Sequence, residues 1–207
     1  MITTSFRDYL SFKYIFPPRP ETVSSPAHLK DLENYIAQPK LNGSCAILAT
    51  NGHEVIFMNR HKKLFSNKLL ITNEDFRSLH RGDGWIYLIG EYLNKSQKDK
   101  NRKTFNGKFV IFDILVYENK WMIGSTVKER QELLTSLYPS DEHDGWILKI
   151  KESTNCFLVK NFDVNFISTW NEIVKIEMYE GMVFKRQNAK LEVSFNERNN
   201  TGWQLKI

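Results

Sequence analysis

The sequence predicts a mixed α+β domain with much antiparallel sheet. Three observations carry this. Short apolar runs rich in aromatic and β-branched residues recur between turn signals. The dipeptide Asn51-Gly52 separates two of these runs, and it is the strongest short hairpin signal a sequence offers. One segment carries a well-marked helix start. The elements follow in order. Pro17, Pro18, Pro20 and Pro26 argue against a long helix near the start, so residues 1–34 read as a lead-in to one domain over 35–207. His28 to Tyr35 is expected as a short helix. Ser44 to Ala49 and Glu54 to Met58 are the hairpin strands. Lys68 to His80 is expected to hold a helix, and Gly82-Asp83-Gly84 a turn. Trp85 to Ile89 is a strand, as is Phe109 to Val116, apolar on both faces except at Asp113. Glu118-Asn119-Lys120 turns the chain into Trp121 to Ile123. Thr126-Val127-Lys128-Glu129 fits a capping box, Val127, Leu133, Leu134 and Leu137 give an apolar stripe, and Pro139 stops the helix. Trp146 to Ile150 is a strand. Ser168 to Ile176 is a second helix, with Ile167, Trp170, Ile173 and Val174 spaced for one face. Gly181 to Lys185 and Trp203 to Ile207 are late strands.

Composition excludes several classes. Of 207 residues, 41% are hydrophobic and 13% aromatic, too many for a mainly disordered chain. The longest apolar stretch, Phe109 to Tyr117, is about half of the ~20 residues a bilayer needs, and Asp113 interrupts it. No apolar secretory core opens the chain, so the expectation is an intracellular, cytoplasmic protein with no membrane partner. Cys45 and Cys156 do not make a disulfide framework, and neither has zinc-type spacing. The net charge of +5 favours an anionic partner such as nucleic acid or nucleotide phosphate.

Chemistry-bearing residues fall in five short segments: Lys40-Leu41-Asn42-Gly43; Gly90-Glu91-Tyr92-Leu93; Phe112-Asp113-Ile114-Leu115; Glu180-Gly181-Met182-Val183-Phe184-Lys185; and Leu205-Lys206-Ile207. Asn59-Arg60 follows the second hairpin strand. Singly, most have plain readings as solvated turns or core. Asp113 is harder to dismiss, because a buried carboxylate without a partner is expensive.

Taken in order, the five resemble the motif set of the covalent nucleotidyltransferases: ATP-dependent DNA ligases, RNA ligases and mRNA capping enzymes, here of viral or phage type. The resemblance covers roughly residues 35–207. It implies an ATP-grasp-like nucleotidyltransferase fold, with antiparallel sheets flanked by helices and a nucleotide cleft between them. It implies that Lys40 attacks the α-phosphorus of ATP and holds AMP as a phosphoramidate, with Lys206 as second catalytic cation. At the reference pKa of ~10.4 roughly one lysine in two thousand is neutral at pH 7, so nearby cations and burial would be needed to raise that fraction. The resemblance further implies nucleotide contacts at Asn42 and Gly43, ribose recognition by Glu91, purine stacking on Phe112, and Mg²⁺ or Mn²⁺ on Glu180. Arg60 would touch the ribose or 5′-phosphate, Lys185 a phosphate, and Gln38 the adenine edge. The basic stretch Lys95, Lys98, Lys100, Arg102, Lys103 and Lys108 reads equally as a phosphate-tracking loop or a solvated one.

Three departures stand out. Asn42 replaces the usual Asp. The last motif normally holds two lysines one residue apart; with Lys206 as the first, the second falls at position 208, and in the other register Gln204 replaces the first. No C-terminal OB-type domain is seen. The function implied is an ATP-dependent polynucleotide ligase acting as a monomer on nicked duplex DNA or RNA ends, with a slight lean to DNA nick sealing. A GTP-using capping enzyme and a non-catalytic binding module stand as alternatives, and covalent labelling with ATP against GTP separates them.

Overall fold

A computed structural model of the protein describes residues 21–22, 32–65, 69–192 and 203–207. The four early prolines, residues 28–31 of the expected first helix, and Lys68 lie outside the described residues. Within the expected lead-in, Glu21–Thr22 form a short strand, β1. Tyr35 is not the end of a helix: it opens β2, Tyr35–Leu41, so Lys40 lies in a strand rather than just ahead of one. The sequence hid this strand because Pro39 interrupts it.

The hairpin is present as β3 (Ser44–Thr50) and β4 (Val55–Asn59), paired from Thr50↔Val55 to Ala46↔Asn59. Asn51 Oδ1 accepts from the amides of His53 and Glu54, and Gly52 takes a φ of 87° that its neighbours would resist. The helix expected from Lys68 to His80 is much shorter: α1 covers Asn73–Arg77, started by a Thr72–Asp75 capping box. Strand β5 (Ile86–Leu93) runs four residues past Ile89. Then come β6 (Gln97–Lys98) and β7 (Thr104–Phe105), a small hairpin, followed by β8 (Lys108–Tyr117) and β9 (Lys120–Trp121). The capped helix is α2, Val127–Leu137, with Thr126 and Glu129 bonded reciprocally. Strands β10 (Ser140–Glu142), β11 (Ile147–Ile150) and β12 (Cys156–Val159) lead to α3, Phe166–Ile173. The late strands are β13 (Tyr179–Arg186) and β14 (Gln204–Lys206).

The strands form two main sheets. The small one runs β1-β14-β13-β2, the large one β10-β11-β12-β8-β5-β3-β4 with β9 on β8. Pairing is antiparallel except for β1–β14 and β12–β8. One core lies between the large sheet and the helices, with Leu48, Leu88 and Ile111 against Phe76 and Leu134. Phe57 anchors it, its ring 4.5–5.4 Å from those of Phe65, Phe76, Tyr92 and Phe109. A second core fills the space between the sheets, where Ala37, Met182 and Phe184 meet Val110, Phe157 and α3. Helix α2 packs on the first core through Leu134, while Val127 forms a separate small cluster with Ile36 and Trp203. Cys45 and Cys156 form no disulfide. Among the described residues no helix is long and apolar enough to cross a membrane.

Candidate active site

The two sheets leave a cavity of about 500 Å³ between them. Strand alternation decides what faces it. Gly181↔Lys40, Val183↔Gln38 and Val183↔Lys206 are paired, as are Lys185↔Gln204. Paired residues share a face, so Gln38, Lys40, Lys185, Gln204 and Lys206 all turn to the cavity. The large sheet answers with Ser44, Cys45, Arg60, Glu91 and Phe112.

Two site residues are set by β-bulges. Tyr179 pairs with Leu41 and Gly181 with Lys40, so Glu180 is an extra residue with no partner in the ladder. A bulge re-aims the side chain it carries. Glu180 lines the cavity beside Lys40, and its carboxylate forms an ion pair with the Lys40 ammonium. The bulge needs Gly181, whose φ is 144° and whose absent Cβ would collide with the Ile207 carbonyl. In the same way Ile89 pairs with Asp113 and Gly90 with Ile111, leaving Phe112 as the extra residue of β8. Its carbonyl, free of the ladder, accepts from Lys185 Nζ at 3.0 Å and Gln131 Nε2 at 3.0 Å.

Gly43 lets the β2–β3 turn lie directly on β5. A Cβ there would come within 2.6 Å of the Tyr92 carbonyl and 3.0 Å of Glu91 Cγ. The Gly43 amide donates to the Glu91 carboxylate. Burial nonetheless pushes the Glu91 carboxyl up to about 7, against the pull of Lys40, that amide and Arg60. Lys40 is held below the ordinary lysine value, chiefly by burial and further by Lys206, while Glu91 opposes the shift.

Asp113 has its partner. Arg130, fully buried on α2, donates to both Asp113 oxygens at 2.8 and 3.1 Å. Lys185 Nζ lies 3.6 Å from Asp113 Oδ2, and Lys185 is only 2% exposed. Burial brings its ammonium down to about 8, with Arg130 adding to the shift and Asp113 resisting it. Asp113 is held well below the usual carboxylate range, because the two cations outweigh its burial.

Nine of the expected site residues line the cavity: Gln38, Lys40, Gly43, Arg60, Glu91, Phe112, Glu180, Lys185 and Lys206. Asn42 does not. It is held through its backbone, donating to the Met178 carbonyl at 3.0 Å and accepting from the Gln97 amide. Gln204 and Lys206 both face the cavity, so both registers of the last motif put a polar residue there. Lys95, Lys98, Lys100, Arg102 and Lys103 are exposed around the β6–β7 hairpin, apart from the cavity. Lys108 is half-buried against Thr154 and Asn155.

Sequence reasoning missed Arg130, Gln131 and Asn161. The first two had a signal: with Val127 and Leu134 they fall at i, i+3, i+4 and i+7, so two polar residues sit on the buried face of α2. Asn161 carried none. The donor set suits a divalent ion bound with phosphates, which takes one or two protein carboxylates and completes its shell from phosphate and water. Glu180, in the bulge, could supply such a carboxylate; among the described residues no cluster of three acidic, His or Cys side chains is found.

The cavity between the two sheets thus brings together a strand lysine, a bulge glutamate, an aromatic ring and further cations. The chain belongs to the ATP dependent DNA ligase domain family, whose model matches residues 21–206. Its fold is that of several solved ligases. The ligase domain of M. tuberculosis LigD superposes with a TM-score of 0.61 at 16% identity, covering 92% of this chain and 58% of that one. A mycobacterial DNA ligase D complexed with ATP and MES gives 0.58 at 15%, covering 92% and 59%. Chlorella virus DNA ligase-adenylate gives 0.53 at 13%, covering 93% and 69%. The chain thus spans under two thirds of the length of the two ligase D structures. No curated protein matches the sequence.

Proposed function

We propose that this chain seals nicks in duplex DNA through a lysyl-AMP intermediate on Lys40. The observation that carries the reading is the pairing of Lys40 with the Glu180 carboxylate in a cavity that also holds the Phe112 ring and Lys206. Lys40 Nζ, once neutral, attacks the α-phosphorus of ATP. The N–P bond forms, the bond to pyrophosphate breaks, and the ammonium proton leaves toward the Glu180 carboxylate or solvent. AMP then passes to a 5′-phosphate, and attack by a 3′-hydroxyl releases it as the strand closes. Burial and Lys206 lower the cost of deprotonating Lys40. Glu91 accepts from the ribose hydroxyls, Phe112 stacks on the purine, and Arg60, Lys185 and Lys206 face phosphate. Glu180 would hold Mg²⁺ or Mn²⁺, which when bound offsets charge on the phosphates. That use competes with the Lys40 ion pair, so giving up Glu180 would leave the amine with less support for its charge. The exposed basic residues of the β6–β7 hairpin supply a phosphate-tracking surface.

Intact-mass spectrometry after incubation with Mg²⁺ and ATP tests the reading, with GTP in parallel. An AMP adduct on the wild-type chain and none on Lys40→Ala is expected. A GMP adduct instead would move the chain to capping chemistry. Absence of any adduct on folded protein would overturn the proposal.

A further inference from the structure

The two cysteines of the chain stand in opposite settings. Cys156 opens β12 and is fully buried. Burial pushes its thiol up to about 12, so it stays protonated and shielded at neutral pH. Cys45 lies in β3 and lines the cavity between the sheets. Two ladders fix its direction. Cys45 pairs with Glu91 of β5, which lines the same cavity. The β3–β4 ladder ends at Ala46↔Asn59, and one further step in that register sets Cys45 opposite Arg60. Paired residues share a face, so the thiol turns to the cavity between a carboxylate and a guanidinium.

The lining of the cavity favours an anion. Lys40, Arg60, Lys185 and Lys206 face it against two carboxylates, Glu91 and Glu180. It also holds an unanswered donor. Gln204 is only 4% exposed, pairs with Lys185 across β13 and β14, and lines the cavity. Its Nε2 is shielded from solvent and meets no hydrogen-bond partner among the described residues. A buried amide nitrogen without an acceptor is expensive, and an anion bearing oxygen atoms supplies the acceptor. A nucleotide phosphate is one such anion. A small molecule carrying a carboxylate is another, and it needs no nucleoside to enter.

We propose that Cys45 is a redox modification site: a small anionic disulfide enters the cavity, exchanges with the Cys45 thiol, and leaves a mixed disulfide that blocks the nucleotide. This rests on the reading of the cavity as a nucleotide site. The Cys45 proton goes to solvent, and Sγ attacks one sulfur of the incoming disulfide. The new S–S bond forms as the old one breaks, and the other sulfur leaves as a thiolate with the bonding pair. Cys45 is oxidised and the departing half is reduced. Excess thiol runs the exchange backwards and restores the chain. The half that stays takes up space in a cavity of about 500 Å³, beside Glu91 and Arg60, the residues that would receive the ribose and a phosphate. The first chemical step thus becomes sensitive to oxidant with no change to Lys40.

The test uses two small disulfides of similar size and opposite charge, the dianion dithiodiglycolate and the dication cystamine. Each rate is normalised to that of the same reagent with free mercaptoethanol. Modification of the full chain is followed by intact mass and located by peptide mapping. Cys45 is expected to be the residue modified, with Cys156 untouched while the chain stays folded. Dithiodiglycolate should exceed cystamine at Cys45 by about three- to tenfold at low salt, and high salt should close the gap. In the treated wild type the AMP adduct should fall in proportion to the fraction of Cys45 modified, and return when thiol is added. Cys45→Ala, compared with its own untreated sample, should show no such fall. No reaction at Cys45, equal normalised rates of the two reagents at low salt, or full modification with adduct formation intact each overturns the proposal and leaves the ligase reading standing. Failure of the untreated chain to form any adduct overturns both.

Discussion

Glu91 shows how the site charges the fold for holding a polar group. Its carboxyl titrates near 7 in the folded chain and near 4.5 unfolded. Between those values the folded chain holds more protons than the unfolded one. Stability attributable to this group is therefore fully present below about pH 4.5 and lost as pH rises through 7. Glu91→Gln should remove that loss. Its melting temperature relative to wild type is expected to rise from pH 5 to pH 8, and a pair of thermal scans checks it. Asp113 behaves oppositely, since its two cations hold the charged form. Its need for a partner was legible in the sequence, because a carboxylate inside an apolar run has few alternatives. The partner was not legible. Arg130 lies 17 residues away, and only the pairing of α2 with β8 makes them neighbours. Lys40, Glu91, Phe112, Glu180 and Lys206 were readable because their motifs are local and ordered. Asn42 was read into the same set, and its backbone contacts, not its side chain, are what the fold uses.

At the level of elements, the site depends on departures from regularity. Gly181 holds a φ of 144° against the Ile207 carbonyl so that Glu180 can leave the ladder. Gly181→Ala is expected to cost about 1–3 kcal/mol in urea unfolding and to slow adduct formation, as the bulge shifts. Arg130→Met is expected to cost about 3–5 kcal/mol, because it leaves Asp113 buried beside Lys185 without its bidentate partner. The hairpin and the capped helix α2 were legible because their signals are short-range. The strand carrying Lys40 was not, because Pro39 masks it. Neither was the brevity of α1, since Thr72 and Asp75 start a helix that stops within five residues. Strand β12 also escaped: its four buried residues carry no alternation to read.

Across the whole molecule, the cavity and the basic hairpin are separate surfaces joined by one short path. Gln97 of β6 donates to the Asn42 carbonyl, and the Met178 amide donates to the Lys98 carbonyl at 3.2 Å. The hairpin is therefore fixed to the turn that follows Lys40. If it tracks a phosphate backbone, replacing Lys100, Arg102 and Lys103 with alanine should weaken DNA binding. The slope of log affinity against log salt should flatten by about 2–3, read from binding titrations at several salt concentrations. The α+β class was visible from composition and turn spacing, and the cleft from the resemblance. The strand order was not, because β8 pairs with β12 across about forty intervening residues.

The bulges have a genetic consequence. Remove Phe112 from β8, and Ile111 and Asp113 still meet Gly90 and Ile89 in an unbroken ladder. Remove Glu180 from β13, and Tyr179 and Gly181 still meet Leu41 and Lys40. Each is the one codon at its place that the sheet can lose while every other pair stays in register. A frame-preserving deletion there would erase chemistry and spare topology. By the same geometry, inserting a single codon into a regular strand could introduce such a residue without redrawing the sheet around it.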